Sequence, residues 1–301
     1  MILKFGGACL GHVEYYKNIL HIITQRKAKC LIIVVSAIGK TTRMLAFLCE
    51  EAERSKENYT AHNALIDFIE LNKKFIQNLF ACHETTEKLE LIFKPYYNRM
   101  KEILSFISET SDASNILKDE FFSFGELISS NIFNEFLLKN NLNPVLLDAR
   151  KIIITDSNFG AANPCISTTK ENLKSEIAPF RKENHIFIIQ GFIGANVNND
   201  TTTLGFEGSD YTATLLGSII NASKVELWKN VKGICECDPD LNPAATTIRQ
   251  IGYKDAIEFA ESGAKILHPK SIIPAMENNI EVVINDIKCP DEVQTVISRK
   301  S

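Results

Sequence analysis

The chain has no excess of positive charge. Its 301 residues carry a formal net charge of −4, so no global basic field draws nucleic acid. It begins MILKFGG, without the charged segment and long apolar run of a signal peptide. No stretch approaches the roughly 18 uncharged apolar residues of a membrane-spanning helix. Paired cysteines at metal spacing are missing too: eight cysteines are scattered, and Cys235-Glu-Cys237 has no partner pair. That pair reads as ordinary thiols in or near a strand, not a zinc site. With no secretion signal, the eight read as reduced thiols and the location as cytoplasmic. No internal repeat and no low-complexity linker divides the chain.

What is present is a core and an alternation. Hydrophobic residues make up 45% of the sequence, enough for one large α/β domain or two lobes sharing a sheet. ILKF is a short strand ending in Gly6-Gly7, and a helix is predicted near Val13 to Gln25. Leu31 to Ala37, LIIVVSA, is a near-continuous apolar run typical of a strand buried on both faces. The chain then reads helical from about Thr60 to Thr110, where Leu65, Phe68, Ile69, Ile76 and Leu79 recur at helix spacing. A further helix fits Phe121 to Lys139. Val145 to Thr155 reads as two short strands, VLLDA and KIIIT. His185 to Ala195 is another buried strand, Asp210 to Ile220 a helix, VELWKNV a strand, Tyr253 to Ser262 a helix and EVVIND a late strand. Strands alternating with helices, with glycine at strand ends, predict an α/β/α sandwich around a mostly parallel sheet. Ligands of such sheets lie beyond the carboxyl ends of the strands.

The loops at those ends carry the chemistry. Lys4-Phe-Gly-Gly7 sets a cation beside glycines that let backbone N–H groups approach a ligand. Ser36-Ala-Ile-Gly-Lys-Thr-Thr42 gathers hydroxyls and a lysine, but lacks the leading glycine of a phosphate-binding P-loop. Gln190-Gly-Phe-Ile-Gly194 is a strand followed by a glycine turn. Gly208-Ser-Asp210 opens a helix, where unpaired N–H groups favour phosphate. Gly263-Ala-Lys-Ile-Leu-His-Pro269 brings another lysine.

Taken in order, KFGG, VVSAIGKTT, FGELISS, LDARKIIITDSNFG, QGFIGA, TTTLG–GSDYTA, VKGI–DP and SGAKILHP resemble aspartate kinases, of the amino acid kinase family, over nearly the whole chain. The resemblance implies that family's sandwich, with a substrate lobe over residues 1–200, a helical insertion at about 60–140 and a nucleotide lobe over 201–301. It implies transfer of the γ-phosphoryl of ATP, with magnesium, to the side-chain carboxylate of aspartate, giving an acyl phosphate. Lys4 and Lys265 would contact the ATP phosphates. Gly6, Gly7 and Ser209 would supply backbone donors, and Asp210 would orient the lysines or the metal. Lys229, Asn230 and Ile266 fall at nucleotide positions. Ser36 and Thr42 match positions near the reacting carboxylate, and Glu126 the residue that takes the substrate ammonium. Apart from the resemblance, Glu126 reads as a solvated helix-start carboxylate and His268 as structural. No residue set of its own ligates metal.

The sequence also departs from that pattern. Where the family has Leu-Gly-Arg-Gly-Gly-Ser-Asp, this chain has Phe206 in place of the arginine that grips the α-carboxylate and Glu207 in place of the next glycine. The loss of such a contact costs roughly 1.5–3 kcal/mol. The Thr-Ser after the first glycines is Ala8-Cys9, Thr-Asp-Val-Asp-Gly is Lys229-Asn-Val-Lys-Gly233, a tyrosine is Cys235 and an arginine is Asp240. Three readings follow: a kinase of aspartate that supplies the missing cation elsewhere, a kinase of a substrate whose α-carboxylate is absent or masked, and a non-catalytic relative. Phosphorylation of aspartate or an aspartate-like substrate stands first, because Lys4, Thr42, Glu126, Asp210 and Lys265 all remain. The chain ends soon after EVVIND, so no regulatory ACT domain, and no feedback by lysine or threonine, is expected. The resemblance further implies a homodimer and an enzyme that consumes the acyl phosphate.

Overall fold

The structure, a computed structural model, describes residues 1–26, 30–54, 59–180, 185–205, 207–237, 242, 245–262 and 267–299. Its centre is a sheet of eight strands. In chain order the strands are β1 (Ile2–Phe5), β2 (Cys30–Val35), β3 (Pro144–Leu147), β4 (His185–Gln190), the short pair β5 (Ile193–Ala195) and β6 (Thr201–Thr203), then β7 (Lys224–Lys229), β8 (Gln250–Gly252), β9 (Glu281–Asp286) and β10 (Val293–Ser298). The main sheet runs β3-β4-β2-β1-β7-β9-β10-β8, while β5 and β6 pair separately. Its first six strands are parallel and β10 is antiparallel to β9.

Side-chain alternation explains why the sheet is covered on both faces. Ile2, Ile32 and Val34 pack into one core, and Leu3, Phe5, Ile33 and Val35 into the other. Helix α1 (Gly7–Leu10) and α2 (Tyr16–Gln25) follow β1, and α2 packs on the second core. A helical block then intervenes: α3 (Thr41–Arg54), α4 (Tyr59–Phe80), α5 (His83–Thr110) and α6 (Asn115–Lys139). The short α7 (Ala149–Ile152), α8 (Ile166–Ile177), α9 (Gly208–Ile219), α10 (Tyr253–Glu261) and α11 (Pro269–Glu277) complete the layers.

Several expectations change. The helical stretch over 60–110 is two helices, broken at Ala81, whose φ is +47°. KIIIT is not a strand: Asp148 caps α7 by accepting the Arg150 N–H, and only the isolated bridges at Ile154 and Thr155 remain. The run from His185 to Ala195 divides at Gly191 between two sheets. Helix α6 begins six residues before Phe121, and β8, β10, α8 and α11 were not foreseen.

The order of the strands locates the site. The chain steps from β1 outward to β2, and later returns to place β7 on the other side of β1. Such a reversal opens a crevice beyond the carboxyl ends of neighbouring strands.

Candidate active site

Lys4 lies on the central strand, on the same face as Ile2, and is only 6% exposed. A lysine buried among apolar neighbours requires a counter-charge. Asp210, in the first turn of α9, supplies it: Lys4 Nζ lies 2.6 Å from Asp210 Oδ1. The other carboxylate oxygen, Oδ2, accepts from Lys229 Nζ at 2.6 Å. One carboxylate therefore bridges lysines from β1 and the end of β7. Burial alone would raise the Asp210 pKa, but the charges of Lys229 and Lys4 hold it at about 2. For Lys229, burial acts downward and is outweighed by Asp210 and then Glu207, so its pKa is raised. Glu207 belongs to the same electrostatic chain.

The loops are fixed by close backbone approach. A Cβ on Gly7 would lie 2.6 Å from the carbonyl oxygen of Ala37, and Gly39 donates its N–H to the Gly7 carbonyl at 2.8 Å. The loops after β1 and β2 are thereby held together. Gly191, after β4, meets α9 in the same way: a Cβ there would lie 2.6 Å from both Cβ and Oγ of Ser209. The amide of Gly6 already donates to the Trp228 carbonyl at 3.0 Å. Glu207 occupies the N-cap of α9 with φ +54°, a left-handed conformation uncommon for a side-chain-bearing residue, and caps with no side-chain hydrogen bond. Its Oε2 is buried without a hydrogen-bond partner among the described residues.

Glu126 lies on α6 and is 3% exposed, not solvated. Burial pushes its pKa up to about 8, opposed by the charge of Lys4 and the Ala37 N–H, and its Oε2 has no hydrogen-bond partner among the described residues. Asp119, one helical stretch earlier, accepts from the amides of Gly160 (2.9 Å) and Thr203 (2.8 Å) and from the Thr203 hydroxyl (2.7 Å). It ties α6 to β6 and to the loop at Gly160.

A single cavity of about 540 Å³ gathers these groups. Of the predicted residues it is lined by Lys4, Gly7, Ser36, Thr42 and Glu126, and by Glu207, Ser209, Asp210 and Lys229. Gly6 and Asn230 adjoin it without lining it; the Asn230 Oδ1 is buried with no hydrogen-bond partner among the described residues. Phe206, Lys265 and Ile266 lie outside the described residues. Sequence reasoning missed Arg43, Asn115, Lys118, Asp119, Phe122 and Phe192, which also line it. The signal for three of these was the spacing Asn115, Asp119, Phe122, continued by the predicted Glu126, one face of a helix that starts at Asn115. A groove of about 730 Å³ bordered by α4 and α5 is larger, but its Lys73–Glu90 pair is solvent-accessible and it shares no lining residue with the cavity. The cavity, with its buried charges, is the candidate site. Among the described residues no group of three His, Cys, Asp or Glu could hold a metal ion.

A model of the amino acid kinase family matches residues 1–286. Lysine-sensitive aspartokinase 3 of Escherichia coli is 32% identical over 305 residues, covering 100% of this chain and 64% of that protein. Chloroplastic aspartokinase 2 of Arabidopsis thaliana is 30% identical over 302 residues, covering 99% of this chain and 54% of that protein. The crystal structure of E. coli aspartokinase III with aspartate and ADP superposes with a TM-score of 0.89 at 29% identity, covering 100% of this chain and 64% of that one. The chain thus spans less than two thirds of the length of these relatives.

Proposed function

Because the chain belongs to the amino acid kinase family, we propose that it is an ATP-dependent kinase that phosphorylates the side-chain carboxylate of aspartate to an acyl phosphate. A carboxylate is already ionised at neutral pH, so the acceptor needs no general base. One of its oxygens attacks the γ-phosphorus, the bond from that phosphorus to the β–γ bridging oxygen breaks, and the electron pair leaves on ADP. Catalysis of such a step is positioning and charge neutralisation.

The observation that carries the reading is the Lys4–Asp210–Lys229 bridge at the cavity. Asp210 holds two ammonium groups in fixed places before any substrate arrives, which is the preorganisation that phosphoryl transfer needs. Gly7 and Ser209 bring backbone close to the phosphates, Ser36 and Thr42 offer hydroxyls to the reacting carboxylate, and Glu126 takes the substrate ammonium. Asn230 and the residues at 265 and 266 belong to the nucleotide side. In this division residues 1–200 serve the acceptor and 201–301 the nucleotide. Magnesium would supply further charge neutralisation on the phosphates. Both Asp210 oxygens are engaged by lysines, so the fit is to an ion carried in on phosphate oxygens, where magnesium commonly sits.

A cytoplasmic homodimer that hands its acyl phosphate to a second enzyme completes the reading; light scattering on the purified chain tests the dimer. Activity is tested by a coupled ADP-release assay over aspartate, its α-amide, its α-esters and other dicarboxylates. Aspartate-dependent ADP release is expected. Tight ATP binding with no turnover on any of them would leave a binding protein instead.

A further inference from the structure

The cations of the cavity fall into two groups. Among the described residues that line it, four are basic: Lys4, Arg43, Lys118 and Lys229. Lys4 and Lys229 are both committed to Asp210. Arg43 and Lys118 have no ion pair or hydrogen bond to any described side chain. Of the other acids lining the cavity, Asp119 already accepts three hydrogen bonds, Glu207 acts on Lys229 and Glu126 is acted on by Lys4.

These two cations line the same cavity from different helices, α3 and α6. Arg43 follows Thr42 in the first turn of α3, and both line the cavity with Ala46. Lys118 is on α6, half-buried, on the stripe that leads to Glu126. Eight residues separate Lys118 from Glu126, about 12 Å along the helix axis, and the long lysine stem can cover much of that. The charge of Lys118 is felt at Cys49 of α3, whose thiol burial pushes up to about 12 and Lys118 pulls back down. Helix α3 packs on α6, so Lys118 and Arg43 lie on neighbouring helices that wall one cavity. Phe122 and Ala46 give the same cavity apolar surface. A half-buried lysine without a counter-ion is costly unless an anion arrives.

We propose that Arg43 and Lys118 form the second anion-binding subsite of this cavity and hold the α-carboxylate of aspartate while its side-chain carboxylate faces Lys4 and Lys229. This deepens the kinase reading and rests on it. The substrate then lies along α6, its ammonium toward Glu126, its two carboxylates at opposite cation pairs. The planar fork of Arg43 suits a carboxylate through two parallel hydrogen bonds, and Lys118 adds a point charge. Such an arrangement accepts free aspartate and disfavours analogues whose α-carboxylate is masked, because these leave two cations unmatched.

The test compares Arg43→Gln, Lys118→Met and the double variant on two acceptors, aspartate and aspartate α-amide. Neither residue pairs with a described side chain, so the thermal midpoints should not fall below the parent's. For aspartate, each single variant should lower kcat/KM by roughly 10–100-fold, chiefly through KM, and Arg43→Lys should recover part of the loss. For the α-amide, activity should change less than about threefold. An equal loss on both acceptors, unchanged use of aspartate, or a parent enzyme that prefers the α-amide would overturn the assignment. Should the parent release no ADP with either acceptor, the kinase reading fails separately, and calorimetric titration of aspartate decides the subsite. Weaker binding in the variants supports it, and equal binding overturns it.

Discussion

At the scale of single residues, the account turns on groups whose charge the fold has set. Lys4 lies within an apolar layer with the Asp210 carboxylate 2.6 Å away as its counter-charge. Lys4→Ala removes a fixed cation from the transferring phosphoryl and should lower kcat by on the order of 100-fold or more. Asp210 remains paired with Lys229 in that variant, so the fold should survive; near-parental kcat would remove Lys4 from the mechanism. Glu126 makes a different prediction. Its pKa is raised by burial from an ordinary 4.5 to about 8, so the folded protein binds a proton that the unfolded chain has lost at neutral pH. The stabilisation this brings is complete below about pH 4.5 and disappears as pH rises through about 8. Glu126→Gln should therefore be a few degrees more stable than the parent at pH 9, with little difference at pH 4, by thermal unfolding. The same proton must leave when an ammonium group docks on Glu126. The KM for aspartate should then fall as pH rises from 6 toward 8, by close to tenfold per unit, and Glu126→Gln should flatten that slope while raising KM. A KM independent of pH would place the substrate ammonium elsewhere.

At the scale of elements, the site depends on how closely α9 meets the loop after β4. Gly191→Ala would set a methyl group 2.6 Å from Ser209 Cβ, so α9 or the loop must shift. Because Asp210 rides on the first turn of α9, the bridge to Lys4 moves with it. A loss of at least tenfold in kcat is expected, with helix content by circular dichroism unchanged and a stability cost of about 1–3 kcal/mol. Full activity in Gly191→Ala would show that α9 need not be held so tightly. The elements also show what a sequence can reveal. The strands β1, β2, β4, β7 and β9 are apolar runs ending at glycine, polar or charged residues, and each was legible. KIIIT was misread because a short apolar run buries equally well as a strand or as a helical turn, and the Asp148 cap decided for the turn. The break between α4 and α5 has no glycine or proline; Ala81 adopts the left-handed conformation there. The antiparallel β10 starts at an exposed Val293 and pairs through an irregular register. Within the site, residues at strand ends could be found from their motifs. Arg43 and Lys118 could not, because they come to line one cavity only when α3 packs on α6 at Gly125, where a Cβ would lie 2.8 Å from Thr41 Cγ2.

At the scale of the whole molecule, one mostly parallel sheet with a reversal at β1 brings the ends of β1, β2, β4 and β7 to one cavity. The buried bridge of one carboxylate and two lysines lies there, with the acceptor-facing residues of α3 and α6 opposite the loop that opens α9. The central claim is that this cavity forms an acyl phosphate on aspartate. It is tested most directly by trapping that product with hydroxylamine while ADP is counted in the same reaction. The account predicts one β-aspartyl hydroxamate for each ADP, with both lost together in Lys4→Ala. ADP released without hydroxamate, or hydroxamate formed equally well by Lys4→Ala, would contradict it.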